Sequence, residues 1–189
     1  MKIISRFNRV NMDELLVDES IFALQNGLIG VRGNFSESYG LNDYKQTLIN
    51  GFYNLYDYTY EENSPSFPQK GQRIINVIDG QTIEFYIQGV AINKANCLLK
   101  SLERHFDLEK GLTTRIARYE TTEGYEFIIT EEKLLSFIQK ELLTIKINIT
   151  SINYDGDINI VSKLKLPNKA LLDRKDSRIN QASEDSWLL

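Results

Sequence analysis

Short runs in which apolar and polar residues alternate dominate the chain, and they predict strands. Ile83, Phe85 and Ile87 alternate with Glu84 and Tyr86. The same period of two recurs in three later segments, whose apolar positions are Tyr125, Phe127 and Ile129, then Leu143, Ile145, Ile147 and Ile149, then Ile158, Ile160, Leu164 and Leu166. Successive side chains of a strand point to opposite faces, so this period indicates half-buried β-structure.

Pairs that end in glycine separate these runs and are candidate hairpin turns. They are Asn26-Gly27, Asp79-Gly80, Glu123-Gly124 and Asp155-Gly156. Such pairs tolerate the positive φ angles of a two-residue turn, and at the first of them we expect Gln25 to pair with Leu28. Repeated hairpins in a chain of single-domain length predict an all-β fold, a large antiparallel β-sandwich with few or no helices.

One stretch between these runs also fits a helix. Its apolar residues Leu134, Leu135, Ile138 and Leu142 have helical spacing, so local evidence leaves helix and strand open. Because both neighbouring segments are predicted strands, we favour strands here, with a break near Gln139-Lys140.

Composition and charge exclude several partners. The net charge is −4 and the 22 basic residues are scattered, whereas nucleic acid needs clustered cations. No segment approaches the ~18 apolar residues of a membrane span. A single cysteine, Cys97, indicates a reducing compartment, and residues 1–9 lack the apolar core of a signal peptide. The sequence therefore predicts a cytoplasmic protein that binds neither nucleic acid nor membrane.

The stretch "ESIFALQNGLIGVRGNF", residues 19–35, has three glycines spaced as G-x-x-G-x-x-G. A dinucleotide site needs G-x-G-x-x-G between a strand and a helix, and no helix is predicted after this stretch. A tight hairpin is favoured over a phosphate cradle, with Gly30 and Gly33 permitting bends or close backbone approach.

Catalytic and metal-binding sets are not evident from the sequence. His105 is the only histidine and no Cys/His set completes a tetrahedral site, so we predict no metal and no cofactor. His105 is interpreted as a hydrogen-bonded structural residue rather than a base, and Cys97 as a small buried hydrophobe. Glu131 and Glu132 would point to opposite faces of a strand and could not act as a pair.

The aromatic run "GFYNLYDYTYEEN", residues 51–63, is the most suggestive local feature. Tyr56, Tyr58 and Tyr60 would share one face of a strand, with Asp57 and Thr59 on the other. Tyrosines stack on sugar rings and donate hydroxyls, but aromatic residues also favour half-buried strands. Both interpretations stay open.

The glycine-rich stretch resembles the N-terminal motif of glycoside hydrolase family 65, the α-disaccharide phosphorylases. "LINGFY", residues 48–53, and "LERHFDLEKGLTTR", residues 102–115, resemble two further segments of that family in the same order. The resemblance assigns structural roles to its motif residues, which are Asn26, Gly27, Gly30, Arg32, Gly33, Asn34, Asn50 and Gly51.

The resemblance implies that residues 1–189 are a fragment, the non-catalytic N-terminal super-sandwich of a longer enzyme. The general-acid glutamate and the phosphate pocket would belong to an (α/α)6 barrel that follows. Such a parent cleaves an α-linked glucosyl disaccharide with inversion, using inorganic phosphate as co-substrate, and yields β-glucose 1-phosphate. A hydrolytic relative stays open. The expected partners are the chain's own barrel, the α-linked disaccharide and a second copy in a homodimer.

In such enzymes the sandwich sends a loop toward the active-site mouth. The candidate residues for this rim are Tyr53, Tyr56, Tyr58 and Tyr60. The main alternative is a free-standing carbohydrate-binding β-sandwich. A structural or adhesion sandwich is disfavoured, because its secreted members usually carry signal peptides and disulfides.

Overall fold

The computed structural model describes residues 3–38, 45–58 and 64–166. Strands make up most of this part of the chain, together with one helix. The elements in chain order are β1 (Ile3–Phe7), α1 (Met12–Ile21), β2 (Leu24–Gln25), β3 (Ile29–Val31), β4 (Thr47–Asp57), β5 (Lys70–Asn76), β6 (Asp79–Ile87), β7 (Val90–Ala91), β8 (Leu98–Asp107), β9 (Leu112–Glu120), β10 (Glu126–Leu135), β11 (Leu143–Ser151) and β12 (Asn159–Lys165).

These strands form three antiparallel sheets. The largest has the order β1-β8-β9-β10-β11, the second β12-β6-β7, and the third β2-β3-β4-β5. The second and third sheets adjoin where Gln81 Nε2 donates to Thr47 Oγ1 at 3.1 Å. The predicted all-β antiparallel fold is confirmed.

The main core lies between the five-stranded sheet and the three-stranded sheet. Phe85 and Ile87 of β6 pack against side chains of β8, β9 and β10. The members from those three strands are Leu99, Leu102, Ala117, Tyr119, Phe127 and Ile129. A smaller cluster of Leu24, Val31 and Leu135 joins the four-stranded sheet to the end of β10. Two facing layers with apolar inner faces make this a sandwich.

The helix α1 was not assigned from the sequence, although a signal for it is present. Asn11 Oδ1 accepts a hydrogen bond from the Glu14 amide at 2.8 Å, and Asp13 and Glu14 lie in the first turn. An asparagine N-cap followed by acidic residues favours the start of a helix. The helix buries Leu15 in the main core.

One predicted hairpin and one predicted strand assignment are confirmed. Glu123-Gly124 lies in the hairpin between the paired strands β9 and β10, and Gly124 has a φ of +84°, although residues 121–125 form a longer connection than the predicted two-residue turn. The ambiguous stretch is strand rather than helix, since β10 runs to Leu135 and β11 begins at Leu143. The loop between them, residues 136–142, includes the predicted break near Gln139-Lys140.

The register predicted for the first hairpin is wrong. Gln25 pairs with Gly30 and not with Leu28. The Asn26 side chain accepts hydrogen bonds from the amides of Leu28 and Ile29, at 3.0 and 2.9 Å, and so lengthens the turn from two residues to four.

Two further hairpin predictions are also wrong. At Asp79-Gly80, β5 pairs with β4 whereas β6 pairs with β12 and β7. The Asp79 carboxylate is buried and accepts from the Gln81 amide and the Thr82 hydroxyl, which starts a strand in another sheet. At Asp155-Gly156 the chain passes from the five-stranded to the three-stranded sheet. Turn chemistry in these pairs thus marks crossings between sheets, which local sequence does not distinguish from hairpins.

Candidate functional site

The glycine-rich stretch ends in an irregular segment that crosses the interior. Residues 33–37, here called the central segment, follow β3 and are buried. Buried backbone without a ladder must find other hydrogen-bond partners. Inward-facing cations supply them: Arg104 donates to the Gly33 carbonyl, Lys133 to the Asn34 carbonyl at 2.6 Å, and Lys45 to the Ser36 carbonyl at 2.5 Å.

Carboxylates balance these cations within the same layer. Arg115 donates two hydrogen bonds to Glu37, at 2.6 and 2.7 Å, and one to Glu131 at 3.3 Å. Glu131 also accepts from the Ser36 amide at 3.0 Å, and its other oxygen lies 3.2 Å from Lys133 Nζ. The network therefore links the central segment to β9 and β10.

Two guanidinium groups of this network lie over the ring of Phe35. The Cζ atom of Arg115 is 4.1 Å from the ring centroid and that of Arg104 is 5.6 Å from it. Arg104 also lies 4.4 Å from the ring centroid of Phe22. Cation–π contacts are strongest where both groups are desolvated, so the aromatic rings help to hold these buried charges.

The charge states of the network follow from its contacts. Burial alone would raise the pKa of Glu131, but Lys133 and Arg115 outweigh it and hold that pKa below its usual range. Burial alone would lower the pKa of Arg115, whereas Glu37 and Glu131 hold it above its usual value. Burial lowers the pKa of Lys133. A general acid needs a raised carboxyl pKa, so Glu131 is suited to structure rather than to proton transfer.

The other motif glycines and Arg32 have distinct roles. A Cβ on Gly33 would lie 2.8 Å from the backbone of Phe22, so the predicted close approach is found there. Gly27 has a φ of +87°, as the turn requires. Nothing in the structure explains glycine at position 30, where a Cβ would lie 4.0 Å from Leu48. Arg32 Nε donates to Glu19 at 2.8 Å and its Nη2 to the Leu16 carbonyl at 3.1 Å.

These contacts bear on the phosphate interpretation of the stretch. An open depression of about 450 Å³ lies beside Gly30, Arg32 and Leu48. Arg32 is the cationic residue that lines this depression, and its guanidinium group already pairs with the Glu19 carboxylate. Since β2 and β3 form a hairpin and the central segment follows them, the hairpin interpretation is confirmed.

Asn26 holds two loops together. Its Nδ2 donates to the carbonyls of Ser136 and Lys140, at 2.7 and 2.9 Å, while its Oδ1 accepts from the amides of Leu28 and Ile29. The side chain is buried and all its hydrogen-bonding positions are used. The motif asparagine thus fixes the loop 136–142 against the first hairpin.

The second motif segment, at Asn50-Gly51, lies where β4 leaves the four-stranded sheet. Gly51 has a φ of +92°, and the register of β4 with β5 shifts between Leu48 and Tyr53. Asn50 Nδ2 donates to the Gly27 carbonyl at 3.1 Å, and its Oδ1 accepts from the Tyr53 hydroxyl at 2.8 Å. A glycine at this bulge lets β4 and β5 continue as a two-stranded ribbon, residues 53–57 and 70–74.

Two of the predicted rim tyrosines, Tyr53 and Tyr56, lie on the ribbon, and Tyr58 follows it directly, with its amide donating to the Gln69 carbonyl at 3.0 Å. The hydroxyls of Tyr56 and Tyr58 are 3.1 Å apart and their ring centroids 5.1 Å, so the two side chains share a face as predicted. The Tyr56 ring lies against Gly71, where an added Cβ would fall 2.3 Å from it. Tyr53 is exposed. Tyr60 lies outside the described residues.

His105 and Cys97 have contacts that suit structural roles. His105 Nδ1 lies 2.9 Å from the Ser5 hydroxyl, its direct cross-strand partner, and its ring meets the Phe7 ring edge to face at 5.4 Å. Cys97 is buried, and burial raises the pKa of its thiol.

Within residues 3–38, 45–58 and 64–166, no group of His, Cys, Asp or Glu side chains could hold a metal ion, and no helix is long and apolar enough to cross a membrane.

The buried charges were not predicted from the sequence, although β10 contains a signal for them. Glu131 and Lys133 follow Phe127 and Ile129 at the same period of two, so charged residues occupy positions of the inward face. An inward charge in an alternating strand is costly unless paired, which predicts partners on the facing segment.

Comparison with known proteins decides the family. The model of the glycosyl hydrolase family 65 N-terminal domain matches residues 6–187. The chain belongs to this family. The expectation from the three sequence motifs is confirmed.

Several curated relatives of this family 65 domain are disaccharide phosphorylases. The α,α-trehalose phosphorylase of Geobacillus stearothermophilus is 34% identical over 91% of the chain and 23% of its own length. The maltose phosphorylase of Bacillus subtilis is 26% identical over 83% of the chain and 21% of its own length. The chain therefore spans about a fifth of these relatives.

A solved structure supports the fold. A protein from the human microbiome assigned as a kojibiose phosphorylase superposes with a TM-score of 0.73 at 24% identity. The match covers 84% of this chain and 21% of that protein. The family 65 domain thus shares its sandwich with that larger protein.

Proposed function

We propose that the chain is the non-catalytic N-terminal domain of an inverting α-glucosyl disaccharide phosphorylase. Inorganic phosphate and an α-linked disaccharide such as trehalose, maltose or kojibiose are the substrates of the whole enzyme. A carboxylic acid of its catalytic domain protonates the leaving oxygen while phosphate attacks the opposite face, giving β-glucose 1-phosphate and glucose. The family match and the phosphorylase relatives support this proposal.

The state of the two carboxylates in the buried charge network supports a non-catalytic role for this domain. Glu37 is bound by Arg115 and by the Tyr119 hydroxyl at 2.8 Å, and Glu131 by Arg115 and Lys133. Both are buried, so a substrate has no route to them. The two carboxylates stabilise the central segment, and we assign the catalytic residues to the catalytic domain.

The test is an assay of the full-length protein with trehalose, maltose and kojibiose, with and without inorganic phosphate. Release of glucose 1-phosphate that requires phosphate supports the proposal. Release of glucose alone at equal rates in both conditions would identify a hydrolase of the same family and overturn phosphorolysis.

The ribbon tyrosines are proposed to form part of the active-site rim. Tyr53 is exposed on the ribbon, and Tyr56 and Tyr58 are paired on one face beyond the bulge at Gly51. Changing Tyr56, Tyr58 and Tyr60 together to alanine in the full-length enzyme is expected to raise KM for the disaccharide severalfold with a smaller change in kcat. An unchanged KM would remove the ribbon from the rim.

A free-standing carbohydrate-binding module is the second candidate, favoured only by the same tyrosines. Calorimetry of the chain with maltose, trehalose and glucan oligomers separates the two. The accessory-domain proposal predicts no heat of binding from the chain alone. Binding with a Kd below about 1 mM would favour the module.

A further inference from the structure

The loop 136–142 exposes apolar side chains in a fixed position. Ile138 is 96% exposed and Phe137 is 64% exposed, and Leu142 and Leu108 of the neighbouring turn are also exposed. The Phe137 ring lies beside this turn, because a Cβ added at Gly111 would be 3.4 Å from it. Single apolar residues on a surface are ordinary, but several on one loop and the adjoining turn mark an interaction site. These four residues are here called the apolar tip.

Hydrogen bonds hold this loop in one conformation. Asn26 binds the carbonyls of Ser136 and Lys140, and the Ser136 hydroxyl accepts from the amide of Gln139 at 2.9 Å. The loop closes on itself through the Ser136 amide and the Leu142 carbonyl at 3.0 Å. A pre-organised contact surface loses little entropy on binding, so the clamp suits a permanent interface.

The last described strand ends at the same end of the sandwich as the apolar tip. Lys165 of β12 pairs with Asp79, and nearby Gln81 binds Thr47. Thr47 pairs with Val31, which packs on Leu135 immediately before the loop. β12 therefore ends at this end of the sandwich, where Leu164 and Leu166 are also exposed.

We infer that the apolar tip is the surface on which the remainder of the full-length protein packs against this domain. This inference rests on the proposed function, which makes the remainder a catalytic domain. Most of the length of each matched phosphorylase lies outside the region that corresponds to this chain. A tethered domain has a high effective concentration near the end of the sandwich at which β12 ends, which favours it over a second copy.

The test uses cysteine accessibility in the full-length protein. Ile138→Cys places a thiol at the apolar tip, and Ile152→Cys places a control thiol at the opposite end of the β10–β11 hairpin, where Ile152 is 48% exposed. The rate of maleimide labelling at each site is measured by peptide mapping in native and denatured protein. The inference predicts that the native state slows labelling of Ile138→Cys at least tenfold, with little slowing at Ile152→Cys.

Each other outcome overturns the inference. Rapid native labelling at Ile138→Cys shows an uncovered tip, and equal protection at both sites denies the assignment to this surface. Protection that is lost on dilution to monomers assigns a second copy instead, and a reading frame that ends at Leu189 removes the occupant. Phosphorolysis measured on the same preparations keeps the proposals apart, because an active protein with a reactive Ile138→Cys thiol contradicts only the docking inference.

Discussion

Arg115 binds both carboxylate oxygens of Glu37, at 2.6 and 2.7 Å, although the two residues are 78 positions apart and both are buried. Glu37 ends the central segment and Arg115 lies on β9, so this pair fixes an irregular segment against the inner face of the largest sheet. Paired guanidinium and carboxylate groups satisfy each other where water is excluded.

Removing one partner of this pair should destabilise the domain. Arg115→Met leaves the carboxylates of Glu37 and Glu131 buried with fewer partners, and we expect a loss of about 3–5 kcal/mol in the free energy of unfolding. Urea denaturation of the chain measures it. Arg118→Met on the same strand is the matched control, because Arg118 faces solvent and pairs with Glu126 there. Arg118→Met should lower the free energy of unfolding by less than about 1 kcal/mol. Equal losses in the two variants would contradict a special role for the buried pair.

Gly33 and Gly30 should respond differently to alanine. A Cβ at position 33 would lie 2.8 Å from the Phe22 backbone, which cannot move without disturbing the end of α1. Gly33→Ala is expected to lower the free energy of unfolding by about 1–3 kcal/mol, as for other overpacked sites. A Cβ at position 30 has room, so the free energy of unfolding of Gly30→Ala should stay within about 0.5 kcal/mol of the wild-type value. A slight stabilisation is also consistent, because alanine restricts the unfolded chain more than glycine does. Thermal unfolding of both variants checks this, and a neutral Gly33→Ala would refute the close-approach argument.

Loss of the Asn26 clamp should destabilise the domain and loosen the loop 136–142. Asn26→Ala deprives two carbonyls and two amides of their partner, and we expect about 2–4 kcal/mol of destabilisation. Hydrogen exchange of the loop amides should become faster in the variant.

Asn153 offers a control at the other end of the same hairpin. It bridges the Glu126 amide and the Gly124 carbonyl in the same manner but is exposed, so water can replace it. Asn153→Ala should cost less than about 1 kcal/mol. Similar costs for Asn26→Ala and Asn153→Ala would mean that burial of the clamp is unimportant.

Glu84 makes stability depend on acid pH. Burial alone would raise the pKa of Glu84, but hydrogen bonds from Lys163, Tyr86 and Lys165 outweigh it and lower that pKa to about 2. The unfolded chain, with a value near 4.5, binds the proton first as the pH falls. The stabilisation is therefore present above pH 4.5 and is lost as the pH falls toward 2.

The variant Glu84→Gln measures this contribution. The wild type should exceed it by about 1–3 kcal/mol in unfolding free energy at pH 7, with most of the difference gone at pH 2.5. Glu132→Gln is the control, because Glu132 pairs with Lys146 on the surface at 3.0 Å and should contribute less than about 1 kcal/mol at either pH. A difference for Glu84→Gln that stays constant from pH 7 to 2.5 would contradict the lowered pKa.

The strands were predictable because their cause is local. The alternation of Phe127 and Ile129, and of Ile145 and Ile147, records which face each strand buries, and the structure has strands at these positions. The hairpins were less predictable, because a turn pair such as Asp79-Gly80 permits a change of direction without fixing which strand follows as a partner. That choice depends on packing between distant segments.

The site was predictable only in its outline. The motif residues Asn26, Gly33 and Asn50 were singled out by resemblance. Their partners in the loop 136–142, at the residue that follows α1 and in the first hairpin come from tertiary contacts. Arg115 and Lys133 were not singled out at all, since a charged residue in a strand is ordinarily assigned to the solvent face.

The central claim is that this domain supports catalysis without taking part in it, and kcat of the full-length enzyme tests it most directly. Glu131→Gln keeps the size of the buried side chain but removes its charge. We predict that the variant lowers the melting temperature yet keeps kcat for phosphorolysis within twofold, measured well below that temperature. Loss of a general acid or base typically costs ~10²–10⁴-fold in rate. A drop of that size in folded protein would contradict the account and place Glu131 in the catalytic machinery.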